Sequence, residues 1–161
     1  MTAENRRGIT SRLGSPAFRW GVFVALWCCF IWGHSLVQGP ESSNESGNFY
    51  LLLKPLFDAA GVSNEDTCTF IIRKCAHFTE YAVLGCSVLN LVKSLLRQGW
   101  GSPRSRGLVL AAFGLVAVAD ETLQLFVPGR SGSPRDVAID LSGYVCGALL
   151  ATLVVKHRRK A

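Results

Sequence analysis

Nine chemically capable side chains sit inside stretches of this chain that are otherwise apolar enough to span a bilayer: Arg73, Lys74, His77, Glu80, Asp120, Glu121, Gln124, Asp136 and Asp140. An ionised group at the centre of a membrane helix costs roughly 2.5 to 3.5 kcal/mol on insertion scales, so such residues normally face a bundle interior, pair with one another and mark a functional site. Lys74, His77 and Tyr81 recur at i, i+3, i+7, and Arg73, His77 and Glu80 form an adjoining stripe. One helical face therefore carries two cations, an imidazole, a carboxylate and a phenol. Counted from Thr69, His77 lies roughly 12 Å and Glu80 roughly 17 Å below the outer end of its helix. A carboxylate at that depth must pair, take up a proton or face water. Asp120, Glu121 and Gln124 fall one to two turns below the outer end of the next apolar run. Asp136 and Asp140 are one turn apart on the last, and the intervening turn carries Arg130 and Arg135 over the same mouth. His34, Ser35 and Gln38 end the first run at that level.

Charges of both signs are nearly balanced in this set, which favours a network over a simple anion sink. Used for binding, Lys74, Arg130 and Arg73 attract a phosphate or carboxylate, while Asp120, Glu121, Asp136 and Asp140 orient the cations and accept ligand hydroxyls. Used for catalysis, the candidates are His77, Glu80, Asp120 and Glu121. His77 serves as general base, Glu80 as its orienting partner or an acid, and the Lys and Arg groups stabilise developing phosphoryl charge. That would make a membrane hydrolase or transferase acting on a lipid-linked phosphate head group, although no GxSxG, HExxH or P-loop supports it. A metal held by His77, Glu121, Asp136 and Asp140 is disfavoured because Arg130, Arg135 and Lys74 would oppose bound cation charge; no metal and no cofactor is expected. A transporter of lipophilic cations suits the carboxylates but not the cations at the mouth. The bland alternative is polar glue between helices, where each contact contributes about 0.6 kcal/mol. Roughly ten costly groups gathered at one membrane face make glue the weaker account.

Four runs reach the roughly 20 residues needed to cross about 30 Å of hydrocarbon: Phe18 to Gln38, Thr69 to Val92, Gly107 to Val127 and Asp136 to Val155. With 49% hydrophobic residues in 161 and a mean hydropathy of +0.28, the chain reads as one small membrane bundle. Its net charge of +6 does not point to nucleic acid, because the cations flank the spans. Arg6, Arg7, Arg12 and Arg19 lie at the start of the first, Lys93, Arg97, Arg104 and Arg106 fall between the second and third, and Lys156, Arg158, Arg159 and Lys160 follow the fourth. The Gly39 to Asp66 loop is instead acidic. By the positive-inside rule both termini are cytoplasmic and the acidic loop is outside. The first run mimics a signal peptide but lacks a small-x-small cleavage site, so it is expected to be retained.

These features predict an all-α integral membrane four-helix bundle. Residues 1–17 form a cytoplasmic tail, 18–156 the membrane domain, and 157–161 a basic cytoplasmic tail. In the first outer loop Phe49, Leu52, Leu53, Leu56 and Phe57 follow i, i+3, i+4, i+7, i+8 spacing, which predicts a short interfacial helix, limited or bent by Pro55 and packed over the bundle mouth. Gly143 and Gly147 form a GxxxG suited to close helix approach. The six cysteines show no CxxC or Cys/His ligand spacing and read as small apolar residues, with Cys68 alone near the outer surface.

The run Arg73-Lys74-Cys75-Ala76-His77-Phe78-Thr79-Glu80-Tyr81-Ala82-Val83-Leu84-Gly85, with Asp120-Glu121-Thr122-Leu123-Gln124-Leu125-Phe126-Val127-Pro128-Gly129-Arg130, then Asp136-Val137-Ala138-Ile139-Asp140 and Gly143, closely resembles the VanZ-like membrane protein family. Ile31-Trp32-Gly33-His34-Ser35 and Gln38-Gly39-Pro40 resemble that family's opening motif, so the likeness covers nearly everything from Trp20 onward. The family is bacterial, and its namesake is associated with resistance to the lipoglycopeptide teicoplanin. Carried over by position, the family's polar signature falls on Lys74, His77, Glu80, Tyr81, Asp120, Glu121, Gln124, Arg130, Asp136 and Asp140. His34 stands where the family often has an aromatic residue. The resemblance implies a multi-pass protein of the bacterial inner membrane, linked to the cell envelope and to antibiotic resistance. Together with the residues it implies an outward-facing polar pocket whose partners are membrane lipids and an amphipathic envelope molecule, a lipid-linked cell-wall intermediate or a lipoglycopeptide.

Overall fold

The computed structural model describes residues 14–158 and folds them into five helices, with no strand among them: α1 Pro16–Ser35, α2 Gly39–Ala59, α3 Glu65–Arg97, α4 Pro103–Gln124 and α5 Pro134–Arg158. Most of the expected N-terminal tail and the last residues of the basic C-terminal tail lie outside the described residues. Local sequence sets the helix starts. Ser15 accepts from the Phe18 N–H at 3.2 Å and Asn64 from the Thr67 N–H at 2.9 Å. Ser102 and Ser105 form a reciprocal capping box, and the Ser133 hydroxyl accepts from the Asp136 N–H at 3.2 Å. Proline follows directly after Ser15, Ser102 and Ser133, where its missing N–H costs nothing.

Four helices are long and apolar enough to cross a membrane: Pro16–Ser35, Glu65–Arg97, Arg104–Gln124 and Pro134–Val154. Leu26, Leu108, Leu115, Leu149 and Leu153 are each more than half exposed, an arrangement stable only where hydrocarbon replaces water. The core is narrow. Val24, Cys28 and Ile31 of α1 meet Tyr81, Leu84, Val88 and Val92 of α3, with Ala117 of α4 and Tyr144 of α5. At 33 residues, α3 is about 50 Å long, more than hydrocarbon thickness requires. It is the central post against which every other helix packs. Side chains fasten its neighbours to it through backbone carbonyls: Trp27 Nε1 donates to Glu80 O at 2.9 Å and Lys93 Nζ to Ala151 O at 3.2 Å.

The closest packing joins α3 to α5. A Cβ on Gly85 would strike the Tyr144 carbonyl, one on Gly143 the Phe78 carbonyl and one on Gly147 the Ala82 carbonyl. Small residues thus let the two backbones touch, as the GxxxG spacing predicts. Gly147→Leu should lower the detergent thermal midpoint, since overpacking costs about 1 to 3 kcal/mol. Gly33→Ala, with open space at its Cβ, should be neutral or slightly stabilising. Equal losses in both variants would show that helix contact is not what these glycines provide.

The helix expected between the first two spans is present but longer than expected: α2 runs 21 residues, straight through Pro55. Pro55 removes one backbone donor. The turn beyond it is held by the Lys54–Asp58 pair at 3.3 Å and by the Ala60, Gly61 and Val62 N–H groups, which donate back to Leu56, Phe57 and Asp58 carbonyls. Its buried stripe is Gly39, Ser42, Ser46 and Tyr50, while Phe49, Leu51, Leu52 and Leu56 are exposed. The helix therefore packs on α3 with its hydroxyls inward and its leucines outward. Cys68 is fully buried at the α2–α3 turn, its thiol 3.5 Å from the Val62 carbonyl.

Candidate functional site

All the polar groups singled out above fall at one end of the bundle, under α2 and the loop from 125 to 133. Helix α3 supplies Arg73, Lys74, His77 and Glu80 from its first half, α4 supplies Asp120, Glu121 and Gln124 from its last turns, and α5 supplies Asp136 and Asp140 from its first two turns. Burial is severe: Asp120 and Asp140 have no exposed surface, and Glu80, Glu121 and Gln124 are buried.

Three groupings emerge from the pairings. Lys74 Nζ lies 2.6 Å from Asp136 Oδ1, beside the Phe70 ring. His34 bridges Glu80 at 3.0 Å and Glu45 at 3.4 Å, joining α1, α3 and α2. Ser35 Oγ donates to Asp120 Oδ2 at 2.9 Å, Gln124 Nε2 reaches both Ser35 Oγ and Glu121 Oε1 at 3.3 Å, and the Ser133 N–H donates to Glu121 Oε2 at 3.0 Å. His77 Nδ1 stands 3.6 Å from Asp140 Oδ1, too far for a hydrogen bond.

A cleft of about 270 Å³ opens over this set. It is lined by Arg73, Lys74, His77, Glu121, Gln124, Arg130 and Asp136 together with Phe70, Gly129, Ser131, Ser133 and Arg135. A chamber of about 60 Å³ under α2 shares Arg73, His77 and Arg130 with it and is closed by His34, Ser42 and Glu45. Arg73, Lys74, Arg130 and Arg135 line the cleft together with Glu121 and Asp136, whereas Asp120 and Asp140, with no exposed surface, are not part of its lining. An apolar groove of about 750 Å³ between α1, α3 and α5 is lined by Trp20, Phe23, Val83 and Leu150 and contains none of these groups.

Arg130 is the unusual cation. Its Nη1 donates to Ser42 Oγ at 2.8 Å, but Nε and Nη2 are buried with no partner among the described residues. Burial and then the like charge of Arg73 push its guanidinium below the ordinary range, against the pull of Asp120, Glu121 and Glu80. Arginine keeps its proton regardless, so the consequence is a buried charge with two donors left for an anion. Gly129, at φ +74°, makes the turn that presents it, and Gly39 fits against the Gly129 carbonyl where a side chain would collide.

The cleft gathers seven of the eleven ligand candidates. Asp120 and Asp140 lie below it, and Glu80 faces His34 instead. Tyr81 belongs to the core, its hydroxyl 3.4 Å from the Val116 carbonyl. Sequence reasoning missed Ser42, Glu45 and Ser46 of α2. Their i, i+3, i+4 spacing places them on one helical face. A family model described as VanZ/LLP1 matches residues 20–155. No curated protein and no solved structure matches the chain.

Proposed function

The chain belongs to the VanZ/LLP1 family, matched from residue 20 to residue 155, and from that premise we propose that this multi-pass membrane protein binds the anionic head group of an amphipathic envelope molecule. The observation that carries the reading is Arg130, whose buried, unpartnered Nε and Nη2 form the planar fork that suits a phosphate or carboxylate. Arg73, which lines both the cleft and the chamber under α2, adds a second cation. An apolar groove of about 350 Å³ between α4 and α5, lined by Val118, Leu125 and Val137, shares Glu121 and Ser133 with the polar cleft. A head group in the cleft would have its acyl chain beside it. Basic residues flank the opposite end, so by the positive-inside rule the cleft faces outward from a bacterial inner membrane with both termini cytoplasmic. There a lipid-linked cell-wall intermediate or a lipoglycopeptide is within reach, and holding either would alter tolerance to teicoplanin.

Native mass spectrometry of the protein in mild detergent tests this. A phosphate- or carboxylate-bearing lipid should stay bound and be displaced by dodecyl phosphate but not by dodecyl maltoside. Retention of only neutral and zwitterionic lipids, indifferent to dodecyl phosphate, would end the proposal.

A further inference from the structure

We propose that His77, Asp120, Glu121 and Asp140 form a divalent-cation site beneath the cleft. Each offers one donor atom, and all four atoms lie within 4.8 Å of one another; Asp120, Glu121 and Asp140 are buried and His77 is partly buried. Donors about 2.0 to 2.2 Å from an ion stand at most about 4.4 Å apart across it, so small rotamer shifts close the set.

The unsatisfied atoms argue independently of the spacing. Asp140 has no exposed surface, and neither of its carboxylate oxygens finds a hydrogen-bond partner among the described residues. Asp120 Oδ1 and His77 Nδ1 are likewise buried without a hydrogen-bond partner, His77 Nδ1 lying 3.6 Å from Asp140 Oδ1. A buried carboxylate without a donor is costly unless it is paired or coordinates a metal. No lysine or arginine is bonded to these carboxylates among the described residues: Lys74 is held by Asp136, and Arg130 donates to Ser42, its other two buried nitrogens reaching none of these oxygens. That first pairing removes both residues from the balance that disfavours a metal in sequence, and Asp120 takes the ligand place first considered for Asp136.

The supporting contacts suit coordination. Ser35 fixes the other Asp120 oxygen, and Gln124 with the Ser133 N–H holds Glu121, the kind of outer contact that orients metal ligands. Three carboxylate oxygens and one imidazole nitrogen suit Mn²⁺, Fe²⁺ or Zn²⁺ better than soft ions. Two of the ligands, His77 and Glu121, also line the cleft, so an ion held by this set would adjoin whatever fills it. The site stands without the head-group reading, since its orphaned atoms exist whatever fills the cleft.

The test is metal content and thermal shift in detergent-solubilised protein. Wild type purified without chelator should hold one divalent ion per chain, lose thermal stability with EDTA and regain it with Mn²⁺ or Zn²⁺. Asp140→Asn should lower bound metal roughly tenfold or more and abolish the Mn²⁺ shift. The double variant Lys74→Met with Asp136→Asn, which removes the Lys74–Asp136 pair without leaving either charge alone, should keep the ion. Substoichiometric metal in wild type with no response to Mn²⁺, Zn²⁺ or Fe²⁺ would overturn the site, as would full metal content in Asp140→Asn. Should Asp140→Asn fail to fold, the wild-type EDTA and add-back series decides alone. Arg130→Lys should leave metal content unchanged, so loss of head-group binding and loss of the ion are read separately.

Discussion

Arg130→Lys is expected to weaken retention of an anionic amphiphile by roughly tenfold to a hundredfold, while the detergent thermal midpoint moves by no more than about 2 °C. The expected loss follows from geometry, not charge. Lysine keeps the cation but gives up the fork, and with Nη1 on Ser42 it is the two remaining buried donors of Arg130 that an incoming phosphate or carboxylate would meet. Fold stability should change little, because a buried guanidinium without a paired carboxylate contributes little to folding and a binding site is seldom optimised for stability. Ser42→Ala tests the same idea from the other side. It frees Nη1 without touching the charge, so binding should weaken less than with lysine. Native mass spectrometry with dodecyl phosphate, beside a melting curve, reads both quantities. Equal binding by Arg130→Lys and wild type would show that any cation suffices. A melting loss that tracks the binding loss would make Arg130 a packing element.

The spans were legible because apolar length is a composition property; their ends were not. Helix α3 begins four residues before Thr69, where Asn64 caps it and Glu65 and Asp66 sit favourably in its first turn, and it continues past Val92 to Arg97. Polar turns outside the hydrocarbon are invisible to a search for apolar runs. Helix α1 stops at Ser35, before the expected Gln38, because α2 starts at Gly39 and leaves only three residues for the turn. The exposed face of α2 was legible in its leucines, whereas Gly39, Ser42 and Ser46 read as loop composition, although Gly39 seats against Gly129 and Ser42 accepts from Arg130. The gathering of these charges at one end of the bundle was legible for a related reason: each had to face inward. Partners were not. His34 meeting Glu80 and Lys74 meeting Asp136 depend on how each helix is rotated about its own axis, which residue spacing within a single helix does not encode.

That rotation makes its own prediction, and the choice of partner is where the sequence reading can be corrected by experiment. The sequence leaves the partner of Lys74 open among Asp120, Glu121, Asp136 and Asp140, and in the structure Lys74 reaches Asp136 at 2.6 Å while Asp120 is held by Ser35. Lys74→Met, which keeps the contact with the Phe70 ring, and Asp136→Ala should each destabilise the protein. A fully buried pair would cost about 3 to 5 kcal/mol on losing one member. These side chains are 23% and 16% exposed, so about 2 kcal/mol each is the expectation after discounting for solvent screening. The double variant should lose far less than the sum, because neither charge is then left alone, giving a coupling of about 1 to 2 kcal/mol. The exchange Lys74→Asp with Asp136→Lys should recover part of the loss. A parallel cycle of Lys74→Met with Asp120→Asn, run with chelator present so that bound cation does not enter, should be close to additive. Stronger coupling of Lys74 to Asp120 than to Asp136 would mean that α5 is turned differently against α3. The close Gly143 and Gly147 contacts with the Phe78 and Ala82 carbonyls would then have to be wrong as well, since the register that seats those glycines is the one that brings Asp136 to Lys74.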